Sequence, residues 1–288
     1  MFQRCVFADA TSPVDGSDFV FLGAPFDSTS CFRTGSRYAP DSIRQASYNF
    51  ETYYRRYGLD LEDLRISDAG NLEFCSDPGE YWETLRSAIP ALPKDAAKIV
   101  LGGDHSITPP VVEALARKGE IGVVVFDAHL DLRESFGGTE MSHACTSRRI
   151  LEILNGDLSR YVSIGIRSGS KEEYAYAEEI GLKFYSSFDV EEIGIDQVLK
   201  SAAQHLSPER LYLSIDFDVL DPAYAPGVGN PEPFGISPAD LRRAIELLAP
   251  KAIGLDITEI SPPYDHGVTA LLGARMAREF IAAKAARM

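Results

Sequence analysis

The chain has 288 residues, 45% hydrophobic and 25% charged, a globular composition long enough for one large α/β domain or two ordinary ones. A formal net charge of −15 argues against nucleic acid or an anionic membrane surface as partner and is compatible with a cationic small molecule. No apolar run approaches the roughly 20 residues of a membrane span. The start Met1-Phe2-Gln3-Arg4-Cys5 lacks the basic-then-apolar pattern of a secretory signal, and Cys5, Cys31, Cys75 and Cys145 show no Cys-x-x-Cys spacing. A cytoplasmic protein with reduced thiols is the expectation.

Strand-like and helix-like segments alternate from Asp18 onward. Phe19-Val20-Phe21-Leu22 is an apolar run ended by Gly23-Ala24-Pro25, and Pro40 opens a helix. Leu64-Arg65-Ile66 reads as a short strand and Pro78 to Ala88 as a helix carrying Trp82, the only tryptophan. Lys98 to Leu101 is a strand stopped by Gly102-Gly103, and a helix with Pro109 and Pro110 in its first turn follows to Lys118. Val123 to Phe126, rich in β-branched residues, is a buried strand. Helix Ser142–Leu154, strand Tyr161–Ile166, helix Lys171–Glu179, strand Leu182–Tyr185 and helix Ile195–His205 come next. Strand Leu211–Ile215, helix Pro238–Leu248, strand Ala252–Ile257 and a helix from Val268 to Ala286 close the set. Roughly eight strands alternating with helices imply one parallel sheet with helices on both faces. With no repeat, no low-complexity tract and no composition break, residues 1–288 read as one domain. The Pro- and Gly-rich loop from Asp218 to Ile236 is long for a connection of this kind, and such loops are commonly functional.

In parallel sheets, sites gather at the carboxyl ends of strands. Strand 98–101 runs into Gly102-Gly103-Asp104-His105-Ser106, and strand 123–126 into Asp127-Ala128-His129-Leu130-Asp131. Strand 211–215 leads to Asp216-Phe217-Asp218, and the last strand to Thr258-Glu259. In extended chain, the i, i+2, i+4 spacing of Asp127, His129 and Asp131 would put them on one face. Each feature has a plain structural reading: His105 as a helix cap or satisfied core histidine, Asp216 and Asp218 as turn residues before Pro222, Glu259 as a cap. Their conjunction outweighs those readings. Two histidines and four aspartates at one end of three neighbouring strands repel without cations between them. Six such ligands without a thiolate suit two hard or borderline divalent ions, a hydrolytic arrangement with ions about 3.5–4 Å apart.

Gly-Gly-Asp-His-Ser at 102–106, Asp-Ala-His-x-Asp at 127–131, Ser-Ile-Asp-Phe-Asp-Val-Leu-Asp-Pro at 214–222 and Glu-x-x-Pro-Pro at 259–263 occur in that order. Together they resemble the ureohydrolase family of arginases and agmatinases, over most of the chain. The resemblance implies a three-layer α/β/α, arginase-like fold and a pair of Mn ions. One ion would take His105, Asp127, Asp131 and Asp216, and the other Asp127, His129, Asp216 and Asp218. It further implies that Glu259 pairs with a guanidinium, which a carboxylate does through two hydrogen bonds, and that His143 shuttles protons. An unperturbed imidazole titrates near pH 6.5, which suits it to both acid and base roles. Water acidified by the two ions would supply the nucleophile, with Asp131 helping to orient it. Trimers and hexamers recur in the family, so a homo-oligomer is expected.

Substrate choice is legible only in part. Arginases carry an Asn- and Ser-bearing loop after Asp-x-His-x-Asp to hold the amino-acid head group, whereas residues 132–140 here contain no Asn, which disfavours L-arginine. Glu134 or Glu140 could receive a distal ammonium, as in agmatine or its aminopropyl derivative. Arg133 could receive a carboxylate, as in guanidinobutyrate, or pair with a neighbour. The resemblance is greatest to agmatinases, and cleavage of agmatine to urea and putrescine is the leading expectation. Asn230 departs from the pattern, standing where agmatinases commonly have a threonine near the guanidinium. Cys145, close to His143, is either a reactive thiol or a small buried residue. A non-catalytic guanidino-binding member and a zinc-dependent amide hydrolase on a similar fold are the competing classes.

Overall fold

The structure is a computed structural model describing residues 5–288; Met1-Phe2-Gln3-Arg4, on which the secretory-signal reading partly rests, lie outside the described residues. In chain order the elements are β1 (Phe19–Gly23), α1 (Ala39–Ser47), β2 (Tyr53–Tyr54), β3 (Leu59–Asp60), β4 (Ile66–Asn71), α2 (Pro78–Ala91), β5 (Ala97–Leu101) and α3 (Thr108–Ala116). They continue with β6 (Gly122–Phe126), α4 (Thr146–Ile153), β7 (Tyr161–Ile166), α5 (Lys171–Ile180), β8 (Phe184–Ser186), α6 (Ser187–Ile193) and α7 (Ile195–His205). The last are β9 (Leu211–Asp216), α8 (Pro238–Leu248), β10 (Ala252–Thr258) and α9 (Val268–Ala285). Eight of the strands form one sheet in the order β4-β1-β5-β10-β9-β6-β7-β8, and every neighbouring pair is parallel. The pair β2–β3 is a separate antiparallel hairpin.

Strand alternation builds a core on each side of the sheet. Val124 and Phe126 of β6 pack into the core shared with α1, α6, α7, α8 and α9. Val123 and Val125 enter the other core, beneath α2, α3, α4 and α5. Both faces being covered, the strands carry near-continuous apolar runs, and the result is the expected three-layer α/β/α fold. Among the described residues no helix is long and apolar enough to cross a membrane.

The differences from the sequence reading are local. The strand read at 64–66 starts at Ile66 and runs on to Asn71, through Asp68 and Gly70, residues that lower strand propensity. Tertiary structure overrides that propensity. Arg44 of α1 reaches Asp68 with two hydrogen bonds, Nε to Oδ2 at 2.8 Å and Nη2 to Oδ1 at 2.9 Å, and both side chains are buried. Replacing Arg44 with Met is expected to destabilise the protein by about 3–5 kcal/mol in denaturant titrations, because Asp68 would be left as an uncompensated buried charge. A variant in which Asp68 is also made apolar should recover much of that loss. The strand read at 182–185 is shifted to Phe184–Ser186. The segment read as helix from Ser142 begins with a 3-10 turn at His143–Cys145, and α4 starts only at Thr146. Helix α6 escaped the reading although Ser186 and Asp189 form a reciprocal capping box at its start.

Candidate metal and substrate site

Strands β5, β10, β9 and β6 are consecutive in the sheet, so their carboxyl ends open onto one place. The ligand-bearing strands β5, β9 and β6 are therefore interleaved by β10, which brings Glu259 between them. At the end of β5, Gly103 is obligatory, since a Cβ there would lie 1.7 Å from the Phe26 carbonyl oxygen. His105 then heads a 3-10 turn.

The strand geometry expected for Asp127, His129 and Asp131 is not what brings them together. Strand β6 ends at Phe126, and Asp131 adopts a left-handed conformation with φ 51°. The triplet is consequently shared between two overlapping ligand groups, His105–Asp127–Asp131 and Asp127–His129–Asp218, with Asp127 in both. In the first, His105 Nδ1 lies 3.1 Å from Asp127 Oδ2 and 3.2 Å from Asp131 Oδ2, and Asp216 Oδ2 is 3.3 Å from the same nitrogen. In the second, His129 Nδ1 is 3.0 Å from Asp218 Oδ2 and 3.6 Å from Asp127 Oδ1. All six candidate ligands named from sequence thus converge, with Asp216, expected between both ions, beside His105 of the first group.

The electrostatics of this cluster are unsettled in the way a cation site requires. Burial, then the neighbouring charge of Asp127, pushes the Asp131 carboxyl up to about 7. Burial and the charges of Asp218 and Asp127 push Asp216 well above the carboxylate range. His105 and His129 are held well above the usual imidazole range, because their carboxylate partners outweigh burial. Burial would raise the Asp127 carboxyl, but the adjacent His105 and His129 rings outweigh it and hold it low. Two buried atoms facing the middle of the first group, His105 Nδ1 and Asp127 Oδ2, have no hydrogen-bond partner. Orphaned lone pairs of this kind are costly unless another acceptor of their electrons, such as a metal ion, takes them up. Two imidazoles and four carboxylates suit hard or borderline divalent ions, so the residues fit a binuclear centre.

Around the cluster lies a cavity of about 430 Å³ that also reaches His143, Asn230 and Glu259. Glu259 is buried with φ 62°, and its Oε1 accepts the His105 backbone N–H at 2.8 Å. Burial, then the charge of Asp104, raises its pKa well above normal. Gly229 lies against its other oxygen, where a Cβ would come within 2.4 Å of Oε2. His143 is buried in the 3-10 turn before α4, its backbone N–H donates to Thr29 Oγ1 at 3.0 Å, and its ring stands edge-on to Phe136. Burial lowers its pKa below that of a free imidazole. Cys145 is buried and its thiol is pushed up to about 11 by desolvation, so the structural reading of that residue holds and the reactive one does not.

The substrate-loop expectation needs correcting. Glu134 and Glu140 are exposed and outside the cavity, and Glu140 pairs with Arg149 at 3.0 Å. Beyond the ligand cluster and Glu259, the carboxylates in the cavity wall are Glu173 and Glu232, which the sequence reading did not select. Glu173 is the capping-box residue of α5, so its signal was a helix start; it also accepts the Leu132 N–H at 3.0 Å. Glu232 Oε1 accepts the Ser168 hydroxyl at 3.2 Å. Arg133 lies 3.5 Å from Glu173 and over the Phe136 ring, the ion-pair alternative named for it above. Another unread residue, Arg167, holds the 218–236 loop in place by donating to the carbonyls of Asp218, Glu232 and Pro233 at 2.7, 2.7 and 2.9 Å. Its signal was a lone arginine directly after an apolar strand.

This fold and this cluster define a metal-dependent hydrolase, and comparison with known proteins agrees. The model of the arginase family matches residues 17–283, and the chain belongs to that family, whose enzymes depend on a binuclear metal centre and act on guanidino groups. Within it the likeness is to agmatinases. The agmatinase of Pyrococcus horikoshii is 34% identical over 274 residues, covering 92% of each chain. The N(1)-aminopropylagmatine ureohydrolase of Thermococcus kodakarensis is 37% identical over 264 residues, covering 90% of this chain and 88% of its own. The crystal structure of the agmatine ureohydrolase of Thermoplasma volcanium matches with a TM-score of 0.93 at 43% identity, over 99% of this chain and 96% of its own.

Proposed function

We propose that the protein hydrolyses agmatine or its aminopropyl derivative, releasing urea and the corresponding amine, with two manganese ions as cofactor. For agmatine the amine is putrescine. The observation that carries the substrate class is the cavity wall. From the ion-binding cluster the cavity leads past Glu259 to Glu173 and Glu232, and among the described residues that line it Arg133 is the one arginine or lysine, engaged by Glu173. That wall suits a substrate with a guanidinium at one end and an ammonium at the other, and offers no free cation to a carboxylate. Both Glu173 oxygens accept backbone N–H groups, so Glu232 is the better placed to meet the ammonium.

The roles follow from position. His105, Asp127, Asp131 and Asp216 would hold one ion, and Asp127, His129, Asp216 and Asp218 the other. When bound, the ions supply a water-derived nucleophile at neutral pH. Glu259, fixed by the His105 N–H, orients the guanidinium through paired hydrogen bonds. Asp131 orients the nucleophile. His143, at the cavity edge, delivers a proton to the departing amine nitrogen. Asn230, which lines the same cavity with its amide 3.7 Å from Cys31 Sγ, is assigned to the guanidinium end. Residues 1–288 work as one unit of this kind, a cytoplasmic homo-oligomer; the four cysteines, all free, suit a reducing compartment.

The test is urea release by manganese-loaded protein from agmatine, aminopropylagmatine, 4-guanidinobutyrate and L-arginine at matched concentrations. Turnover of either of the first two with arginine idle is the expected result. Preference for guanidinobutyrate would move the head-group role to Arg133, and silence with two ions bound would overturn the substrate reading.

A further inference from the structure

At the pole of the sheet opposite the metal and substrate site, the amino ends of β5, β10 and β9 border a second cavity, of about 220 Å³, that the reaction above does not use. Five cations from four parts of the chain line it. Lys94 lies in the loop between α2 and β5, and Lys98 is the second residue of β5. Lys118 follows the end of α3, Arg210 directly precedes β9, and Lys284 stands in the last turn of α9. Asp95 is the one acidic residue among the described residues that line the cavity, and the exposed Glu120 and Glu209 stay outside it. The whole chain has 28 basic and 43 acidic residues, so five cations against one carboxylate reverse its overall balance.

These cations do not neutralise carboxylates of the fold. Lys94, Lys118, Arg210 and Lys284 make no side-chain hydrogen bond or ion pair among the described residues. Lys98 is 3% exposed, and its Nζ donates to the carbonyls of Pro93, Lys94 and Ala96 at 2.8, 2.8 and 2.6 Å. Those bonds fix the ammonium but leave its charge without a counterion. Burial, then the charge of Lys118, lowers the Lys98 pKa to about 8, with Asp95 opposing and Arg210 adding to the effect. Helix dipoles explain Lys118 and Lys284, which stand at helix carboxyl ends. Arg210 opens a strand, and its guanidinium is brought up to the same turn as Lys118, where a Cβ on Gly119 would lie 2.8 Å from Nη1. Two like charges are thus held together beside a buried third, in a cleft walled by Leu115 and Ile253. A cleft of one sign with apolar walls concentrates counterions. We propose that this cavity binds a small, multiply charged oxyanion of the phosphate class, with Arg210, Lys118, Lys94 and Lys284 as donors and Lys98 as a fixed charge beneath it. Arginine forks and lysine ammonium groups are common partners of such oxygens. Size narrows the ligand: pockets for drug-sized molecules begin near about 300 Å³, so this one suits a tetrahedral oxyanion with some of its water rather than a nucleotide.

The test is calorimetry of manganese-loaded protein with sulfate and with inorganic phosphate, chloride holding the ionic strength constant, and it does not depend on the substrate reading. One saturable equivalent of either anion is expected. Arg210→Ala and Lys118→Ala should each weaken it about tenfold or more, since each removes a charged hydrogen-bond donor. Both residues are exposed, so the melting temperature without anion should stay near the wild-type value. Sulfate has no proton of its own to exchange near neutral pH, so it also reports on Lys98. At about pH 8 half of the Lys98 side chains lack their proton. An anion that offsets Lys118 and Arg210 raises that pKa, so binding should take up as much as about half a proton, read from the heats in buffers of different ionisation enthalpy. Near about pH 6 Lys98 is already charged, and the uptake should vanish. Absence of a saturable equivalent, wild-type affinity in both variants, or equal proton uptake at the two pH values would overturn the proposal. So would a fall in molecular mass of either variant without anion, measured by light scattering, because the patch would then be a contact between copies of the chain.

Discussion

Replacing Asp127 with Asn is expected to lower kcat by about a thousandfold or more and to reduce bound manganese from two equivalents to one or none. Asp127 belongs to both ligand groups, its Oδ2 facing His105 Nδ1 at 3.1 Å and its Oδ1 lying 3.6 Å from His129 Nδ1. An amide has one oxygen and no charge, so it cannot serve two ions from two sides. Metal ions contribute several kcal/mol of transition-state stabilisation, and each step of about 1.4 kcal/mol is a tenfold change in rate. The fold should survive the change, because the strand that ends at Phe126 is held by its neighbours β7 and β9 on either side. Metal analysis alongside steady-state kinetics decides the matter. Full occupancy with near wild-type turnover would remove the bridging role.

Replacing His143 with Ala should lower kcat by about 10²–10⁴-fold, the usual contribution of a positioned acid or base, while leaving two ions bound. The side chain lies outside both ligand groups, so occupancy is the control that separates a proton-transfer role from a structural one. The pH profile supplies a second readout. Burial lowers the pKa of His143, so its ring loses its proton at a lower pH than a free imidazole, and the wild-type profile should carry a limb below pH 6.5. The Ala variant should lack that limb. A variant that kept full turnover with metal bound would assign the proton to another group.

Local and periodic signals carried far into this molecule. The apolar runs were long and β-branched enough to place six of the eight strands of the main sheet closely, with β4 and β8 displaced, and the Pro and Gly punctuation located the helices between them except α6. Helices α7 and α8 begin and end at the residues read. The six convergent candidate ligands were legible because each lies at or within a few residues of the end of a strand, and in a parallel sheet those ends face one way. The resemblance supplied the division into two ligand sets and the roles of Glu259 and His143, which spacing alone could not.

Other features depend on contacts between residues distant in the chain. Asp68 is buried in a strand beside Arg44, which neutralises it, and neither residue marks the other in the sequence. Glu134 and Glu140 looked like substrate contacts because they follow the ligand triplet, yet the turn at Asp131 carries them into solvent. Glu173, 41 residues from its backbone partner Leu132, occupies the wall instead. Asp256 and Ser214 stand beside each other through a ladder pairing 42 residues apart in the chain. Strand periodicity and turn chemistry are properties of a few consecutive side chains, so the order of residues is enough to specify them. Which carboxylate meets which imidazole, hydroxyl or guanidinium depends on strand order and on the conformation of single residues such as Asp131 and Glu259, and packing of the whole chain decides both.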